Sequence, residues 1–269
     1  MISWARFVLV ALLACVAHAF AQASIDYELA RTFEKGRVHA RIDGALRDIQ
    51  VSQALELLPM LPLGTFRGVV VYLHGCDGIN TLSVKTADLL AMQGFIVFMP
   101  DSFARISKPV SCQPSLYLGG LHREVLSWRH AEADYAIKRL KALPTMDASK
   151  LILMGLSEGA IATATYVGEP IAARIIEGWS CHSGWPEYSG LRAPPDEPTL
   201  AISSENDPWF QKPELRGECG EYIGPPSALR RSMVFRAPHP AASAHDLMWN
   251  ADARLLVFEF LGTVTSKSP

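Results

Sequence analysis

No Cys-x-x-Cys pair occurs among the five cysteines, so the ligand spacing of a structural zinc site is missing. Isolated histidines such as His122, His130 and His182 accordingly read as surface or packing residues, and neither a metal nor a cofactor is expected. An excess of charge is missing too. The 25 Lys and Arg against 27 Asp and Glu leave a net charge of −2, which gives no electrostatic reason to expect nucleic acid or an anionic membrane surface as partner. The apolar stretch from Phe7 to Val16 is too short to span a bilayer comfortably, so no membrane span is expected.

What that stretch does fit is an export signal. Arg6 supplies a positive start, Phe7 to Val16 the apolar run, and Ala21-Gln22-Ala23 the small residues for cleavage before Ser24. Leu12-Leu13-Ala14-Cys15 also resembles a lipobox, which would place a lipid anchor at Cys15. Either route leads out of the cytoplasm, to a periplasmic or secreted protein. Residues 24–269 then form the mature chain, with Cys76, Cys112, Cys181 and Cys219 in a compartment that permits disulfides and three pairings open to them. The whole chain has 269 residues, 49% of them hydrophobic, enough for one substantial core and a single α/β domain.

The stretch Leu151-Ile152-Leu153-Met154-Gly155-Leu156-Ser157-Glu158-Gly159-Ala160 runs an apolar strand through Gly-x-Ser-x-Gly into a helix-forming segment. A serine at the tip of such an elbow takes a strained backbone, and the flanking glycines let strand and helix pass closely. The helix start supplies free N–H groups and the positive dipole end beside the hydroxyl. Ser157 is therefore the candidate nucleophile, with Glu158 read as a donor of its backbone N–H.

Other apolar runs lead to the same kind of loop. Arg67 to Leu73 reads as a strand buried on both faces, and it ends in His74-Gly75-Cys76-Asp77-Gly78. That loop is expected to supply the second oxyanion N–H from Cys76 or its neighbour. Thr81 to Gln93 has helical spacing and Gly94 ends it. Phe95 to Met99 is the next strand, followed by a loop from Ser102 to Gly120 whose Arg105 reads as solvated. A long helix with Leu121, Val125, Trp128 and Tyr135 on one face follows. Beyond the elbow, strands are expected over Ile175–Trp179, Thr199–Ile202 and Met233–Phe235, and Asn250 with Asp252 caps a last helix carrying Leu255, Phe258 and Leu261. Residues 24–62 are left open: Val38 to Ile42 alternates like a strand, and Gln53 to Met60 fits either a strand or a short helix.

This alternation implies a mostly parallel sheet with helices on both faces. A serine hydroxyl needs a histidine to take its proton and an acid to fix the imidazole. In α/β-hydrolases these follow in the order Ser, acid, His. Ser157, Asp207 and His245 occur in that order, each just after an expected strand. Glu205 is the rival acid and His239 the rival base, although Pro238 and Pro240 stiffen the segment around His239.

Val70 to Gly78, Pro100-Asp101-Ser102-Phe103 and Gly155 to Gly159 together resemble the dienelactone hydrolase family of α/β-hydrolases, from about Gly68 to the C-terminus. The resemblance implies the α/β-hydrolase fold, a pocket at the carboxyl edge of the sheet, no metal, and hydrolysis of a small-molecule ester or lactone through an acyl-enzyme. Classical members carry cysteine at the elbow, so Ser157 points to a general carboxylesterase-like activity. An acyltransferase or a non-catalytic binding protein on the same scaffold are the alternatives. The strand order of this fold would place Cys76 beside Cys112 and Cys181 beside Cys219, and these two disulfides are expected.

Overall fold

The structure is a computed structural model that describes residues 23–108 and 110–266. Most of the expected export signal, with Cys15, lies outside the described residues. In chain order the elements are α1 (23–34), β1 (Arg37–Ile42), β2 (Ala45–Gln50), α2 (Val51–Leu57), β3 (Val69–Leu73), α3 (Thr81–Met92), β4 (Ile96–Met99), α4 (Val125–Lys141), β5 (Leu151–Leu156) and α5 (Glu158–Thr165). They continue with β6 (Ala173–Glu177), β7 (Thr199–Ser204), α6 (Gly220–Ile223), β8 (Arg230–Phe235) and α7 (Ala251–Ser266).

The strands form one eight-stranded sheet in the order β2-β1-β4-β3-β5-β6-β7-β8. From β4 to β8 all neighbours are parallel, and β1 alone is reversed, pairing antiparallel with both β4 and the edge strand β2. The central strands are buried on both faces because their side chains alternate between two apolar layers. Val69, Val71, Leu73, Leu151 and Leu153 join α1, α2, α4 and α5 on one face. Val70, Tyr72, Ile152 and Met154 join α3 and α7 on the other. This is the expected α/β architecture with helices on both faces.

The segment left open in the sequence resolves into a helix, a hairpin and a second helix. Asp43 and Gly44, both at positive φ (50° and 78°), make the two-residue turn between β1 and β2. The edge strand β2 is largely exposed and charged, with Arg37 reaching across from β1 to Asp48, which blunts it against pairing with another chain. Residues 51–57 are helical because Val51 and Ala54, on successive turns of one face, pack into the core.

Two helix faces differ from the sequence expectation. α4 begins at Val125, and its buried face is Val125, Leu126, Arg129, Glu132, Ala133, Ala136, Ile137 and Leu140; Leu121 is exposed before it. The face is rotated because it carries a buried arginine, while Trp128 lies outside under the Arg105 guanidinium. In α7 the buried residues are Ala253, Val257, Phe260 and Leu261, whereas Leu255 faces outward. Asn250 does cap that helix, its side-chain oxygen accepting from the N–H groups of Asp252 and Ala253.

Candidate active site

The elbow has the backbone that its residues foretell. Ser157 sits at φ 58°, ψ −119° between β5 and α5, a region costly for a side chain other than glycine. A Cβ on Gly155 would lie 2.2 Å from the Gly159 carbonyl oxygen, and one on Gly159 2.1 Å from that of Leu73. Strand β5, helix α5 and strand β3 therefore cross at a distance only glycine permits. The Ser157 N–H donates to the Glu177 carbonyl at 2.9 Å, fixing the tip beside the end of β6.

Asp207 and His245 come together from separate loops. Asp207 follows β7, is buried, and one carboxylate oxygen accepts from the Trp209 N–H at 3.0 Å. Its other oxygen lies 2.7 Å from His245 Nδ1. The two loops are tied by Asn206 N–H to the Ala242 carbonyl (2.8 Å) and Ser204 Oγ to the Ala241 carbonyl (2.7 Å). Burial opposes protonation of His245, but the hydrogen bond and charge of Asp207, with Asp246 and Glu177 nearby, outweigh it and raise its pKa. The ring lies against Gly178, next to the residue that holds the Ser157 N–H, and stacks on Trp209 at 5.4 Å. Its Nε2 is buried with no hydrogen-bond partner among the described residues, so the Ser157 hydroxyl is not bonded to it here. Such bonds are commonly long in ligand-free sites.

The rivals lie elsewhere. Glu205 is exposed and accepts from Arg236 and the Ala237 N–H. His239 bonds Asp252 at 3.0 Å and caps the following turn through the Ala241 N–H.

The loop after β3 stands across from the elbow. Neither the Cys76 nor the Glu158 N–H enters a turn or loop hydrogen bond among the described residues, and both residues line the same cavity as Ser157. The Glu158 carboxyl is held by Ser111 Oγ. Burial pushes its pKa up, against the opposing pull of Arg129 and Ser111.

Beneath this loop lies a polar network that the sequence reading did not find. Arg129, 1% exposed, donates to the His74 carbonyl, to Ser102 Oγ and, at 2.9 Å, to His74 Nε2. His74 Nε2 also accepts from the Ser102 N–H (3.2 Å), and Nδ1 lies 2.7 Å from the Gly75 carbonyl. This pattern needs the neutral Nδ1–H tautomer, in keeping with burial and Arg129 holding the His74 pKa well below its ordinary value. Glu132 completes the network through Ser102 Oγ and Arg105 Nε (2.6 Å). Arg105 is thus a partner of a buried carboxylate and not a solvated loop residue. The one sequence signal was an arginine at four-residue spacing from Val125 and Ala133.

Two disulfides are present, Cys76–Cys112 and Cys181–Cys219, the pairing that neighbouring strands imply. Among the described residues no cluster of three or more His, Cys, Asp or Glu could hold a metal, and no helix is long and apolar enough to cross a membrane.

No protein-family model matches the sequence, and no curated protein matches it. Solved structures do. A candidate dienelactone hydrolase from Klebsiella pneumoniae subsp. pneumoniae superposes with a TM-score of 0.55 at 13% identity, covering 87% of this chain and 98% of that one. A dienelactone hydrolase-like promiscuous phosphotriesterase from metagenomic libraries gives 0.52 at 18%, covering 85% and 97%. An esterase from Pyrococcus furiosus gives 0.51 at 16%, covering 74% and 82%. At these identities the likeness is one of fold, and the chain has the α/β-hydrolase fold.

Proposed function

We propose that this protein is a serine hydrolase that cleaves a carboxylic ester or lactone through an acyl-enzyme. The observation that carries the reading is the 2.7 Å contact of Asp207 with His245, set beside a serine at φ 58° on the floor of a cavity. Dienelactone hydrolase-like proteins and esterases among the structures of the same fold support it.

Ser157 Oγ turns toward His245 Nε2, gives up its proton and attacks the ester carbonyl. Asp207 holds Nδ1–H and stabilises the imidazolium that forms. The oxyanion is received by the N–H groups of Glu158, at the positive end of α5, and Cys76. Burial of the Glu158 carboxyl, which raises its pKa, works against a full negative charge beside that oxyanion. His245 then protonates the departing alcohol, and water, activated by the same ring, releases the acid. The two disulfides support export to an oxidising compartment.

The test is Ser157→Ala assayed on p-nitrophenyl esters, with folding followed by circular dichroism. Turnover should fall by several orders of magnitude with the fold unchanged. A variant keeping more than about a tenth of the activity would exclude Ser157 as nucleophile.

A further inference from the structure

The cavity over Ser157 has a volume of about 390 Å³, in the range of small-molecule sites. Three of the six tryptophans in the chain line it, Trp179, Trp185 and Trp209, together with Tyr117, Tyr188 and Phe210. These rings form two walls. Tyr117 meets Trp209 edge to face at 5.7 Å, and Phe210 meets Trp179 at 5.3 Å, on the His245 side. Trp185 and Tyr188 meet at 5.4 Å in the other wall. Two disulfides tie the loops that carry most of these rings: Cys76–Cys112 stands just before the segment bearing Tyr117, and Cys181–Cys219 closes the stretch that holds Trp185, Tyr188, Trp209 and Phe210. The rings are therefore set in place before a ligand arrives, which lowers the entropy lost on binding.

Charge in the cavity is sparse. The charged residues among its lining are Lys212, Glu158 and Glu214, and the nearby buried Arg129 is taken up by the His74 carbonyl and Ser102. Nothing in that set favours a substrate carrying its own carboxylate. Leu116 and Tyr117, 63% and 53% exposed, make the approach apolar as well.

We propose that this cavity selects uncharged esters whose acyl or alcohol part carries a planar aromatic ring. The inference rests on the esterase reading and names its substrate class. A ring between two aromatic walls gains offset and edge-to-face contacts that a saturated ring of similar area does not.

The experiment compares kcat/KM for benzyl acetate and cyclohexylmethyl acetate, and for methyl 3-phenylpropanoate and methyl 3-cyclohexylpropanoate. The first pair puts the ring on the alcohol and the second on the acyl group. In at least one pair the aromatic ester should be favoured by about tenfold, the ratio expected for one or two ring contacts. Trp185→Leu should bring that ratio toward one and Trp185→Phe should retain it; a ratio of two esters on the same variant cancels any general loss of turnover. Hydrolysis of both members of each pair at equal rates would overturn the ring site and leave the esterase reading standing. A preference untouched in Trp185→Leu would also overturn it. If no ester is hydrolysed the esterase reading fails, and the ring site is then decided by equilibrium dialysis with N-benzylacetamide and N-(cyclohexylmethyl)acetamide. Tighter binding of the benzyl amide supports the site, and equal binding refutes it.

Discussion

Glu177 should make the protein less stable above neutral pH, and replacing it with glutamine should remove that loss. Its side chain is 1% exposed at the end of β6, one oxygen accepting from the Met248 N–H at 2.8 Å and the other without a partner among the described residues. Burial, opposed by the Met248 N–H and reinforced by Asp246, raises its pKa to about 7 from 4.5. Below pH 4.5 the group is neutral in folded and unfolded chains alike. Between 4.5 and 7 the unfolded chain releases its proton while the fold retains it, so stability falls as pH rises through that window and levels off above it. The loss between pH 5 and pH 8 comes to roughly 2.5 kcal/mol.

Glu177→Gln keeps an oxygen for the Met248 N–H and is neutral at every pH. Urea denaturation at pH 5 and pH 8, with disulfides intact, should therefore show the variant gaining about 2 to 3 kcal/mol relative to wild type between the two. Any cost of the unpartnered amide is the same at both pH values and cancels from the difference. Parallel pH dependence of the two proteins would refute the reasoning. The position has a use that offsets its cost: the Glu177 carbonyl holds the Ser157 N–H while its carboxyl holds the segment that follows His245.

Because Asp207, Asp246 and Glu177 raise the His245 pKa despite burial, kcat/KM should fall with acid through a value above the ordinary 6.5. A midpoint at or below 6.5 would contradict this, as would loss of turnover in His239→Ala with near-normal activity in His245→Ala. Arg129→Met removes the donor to the His74 carbonyl and Ser102 and should cost about 3 kcal/mol or more in urea denaturation, with a lower kcat from the loosened Cys76 loop. Wild-type stability in that variant would show the network to be dispensable. The Cys76→Ser/Cys112→Ser pair opens a 36-residue loop and should lower stability by about 4 kcal/mol, less any strain; an unchanged denaturation midpoint would refute this.

The sheet was legible because β3, β4 and β5 are uninterrupted apolar runs, and the elbow because glycine is required where Gly155 and Gly159 cross. The proposed order Ser157, Asp207, His245 could be suggested on similar grounds, the first two lying just past strands and the last on the loop that follows β8. Less could be read where tertiary packing decides. α2 has only seven residues, too short to be stable by propensity, so its helical state depends on Val51 and Ala54 meeting the core. In α4 the stripe is broken by Arg129 and Glu132, which belong inside only because His74, Ser102 and Arg105 satisfy them. Glu177 gave no sign of its state either, since a carboxyl at the end of a buried strand acquires its raised pKa from neighbours seventy residues away.

The proposed triad and the cavity thus rest on different supports. Ser157, Asp207 and His245 stand at or just beyond the carboxyl ends of parallel strands or on a turn bonded to one of them, where backbone ladders restrain them. The aromatic walls belong to segments with little regular structure, from 113 to 120 and from 179 to 215 outside β7. Loops of that kind have high intrinsic freedom, and rings held only by one another would not keep a slot open against collapse onto the elbow. The crosslinks fall at the borders of these segments, Cys112 just before the first and Cys181 and Cys219 at the two ends of the second, and neither lies inside the sheet. The disulfides are placed where the fold alone restrains least, so their chief effect is on the shape of the space above Ser157 and their lesser one on the sheet beneath it.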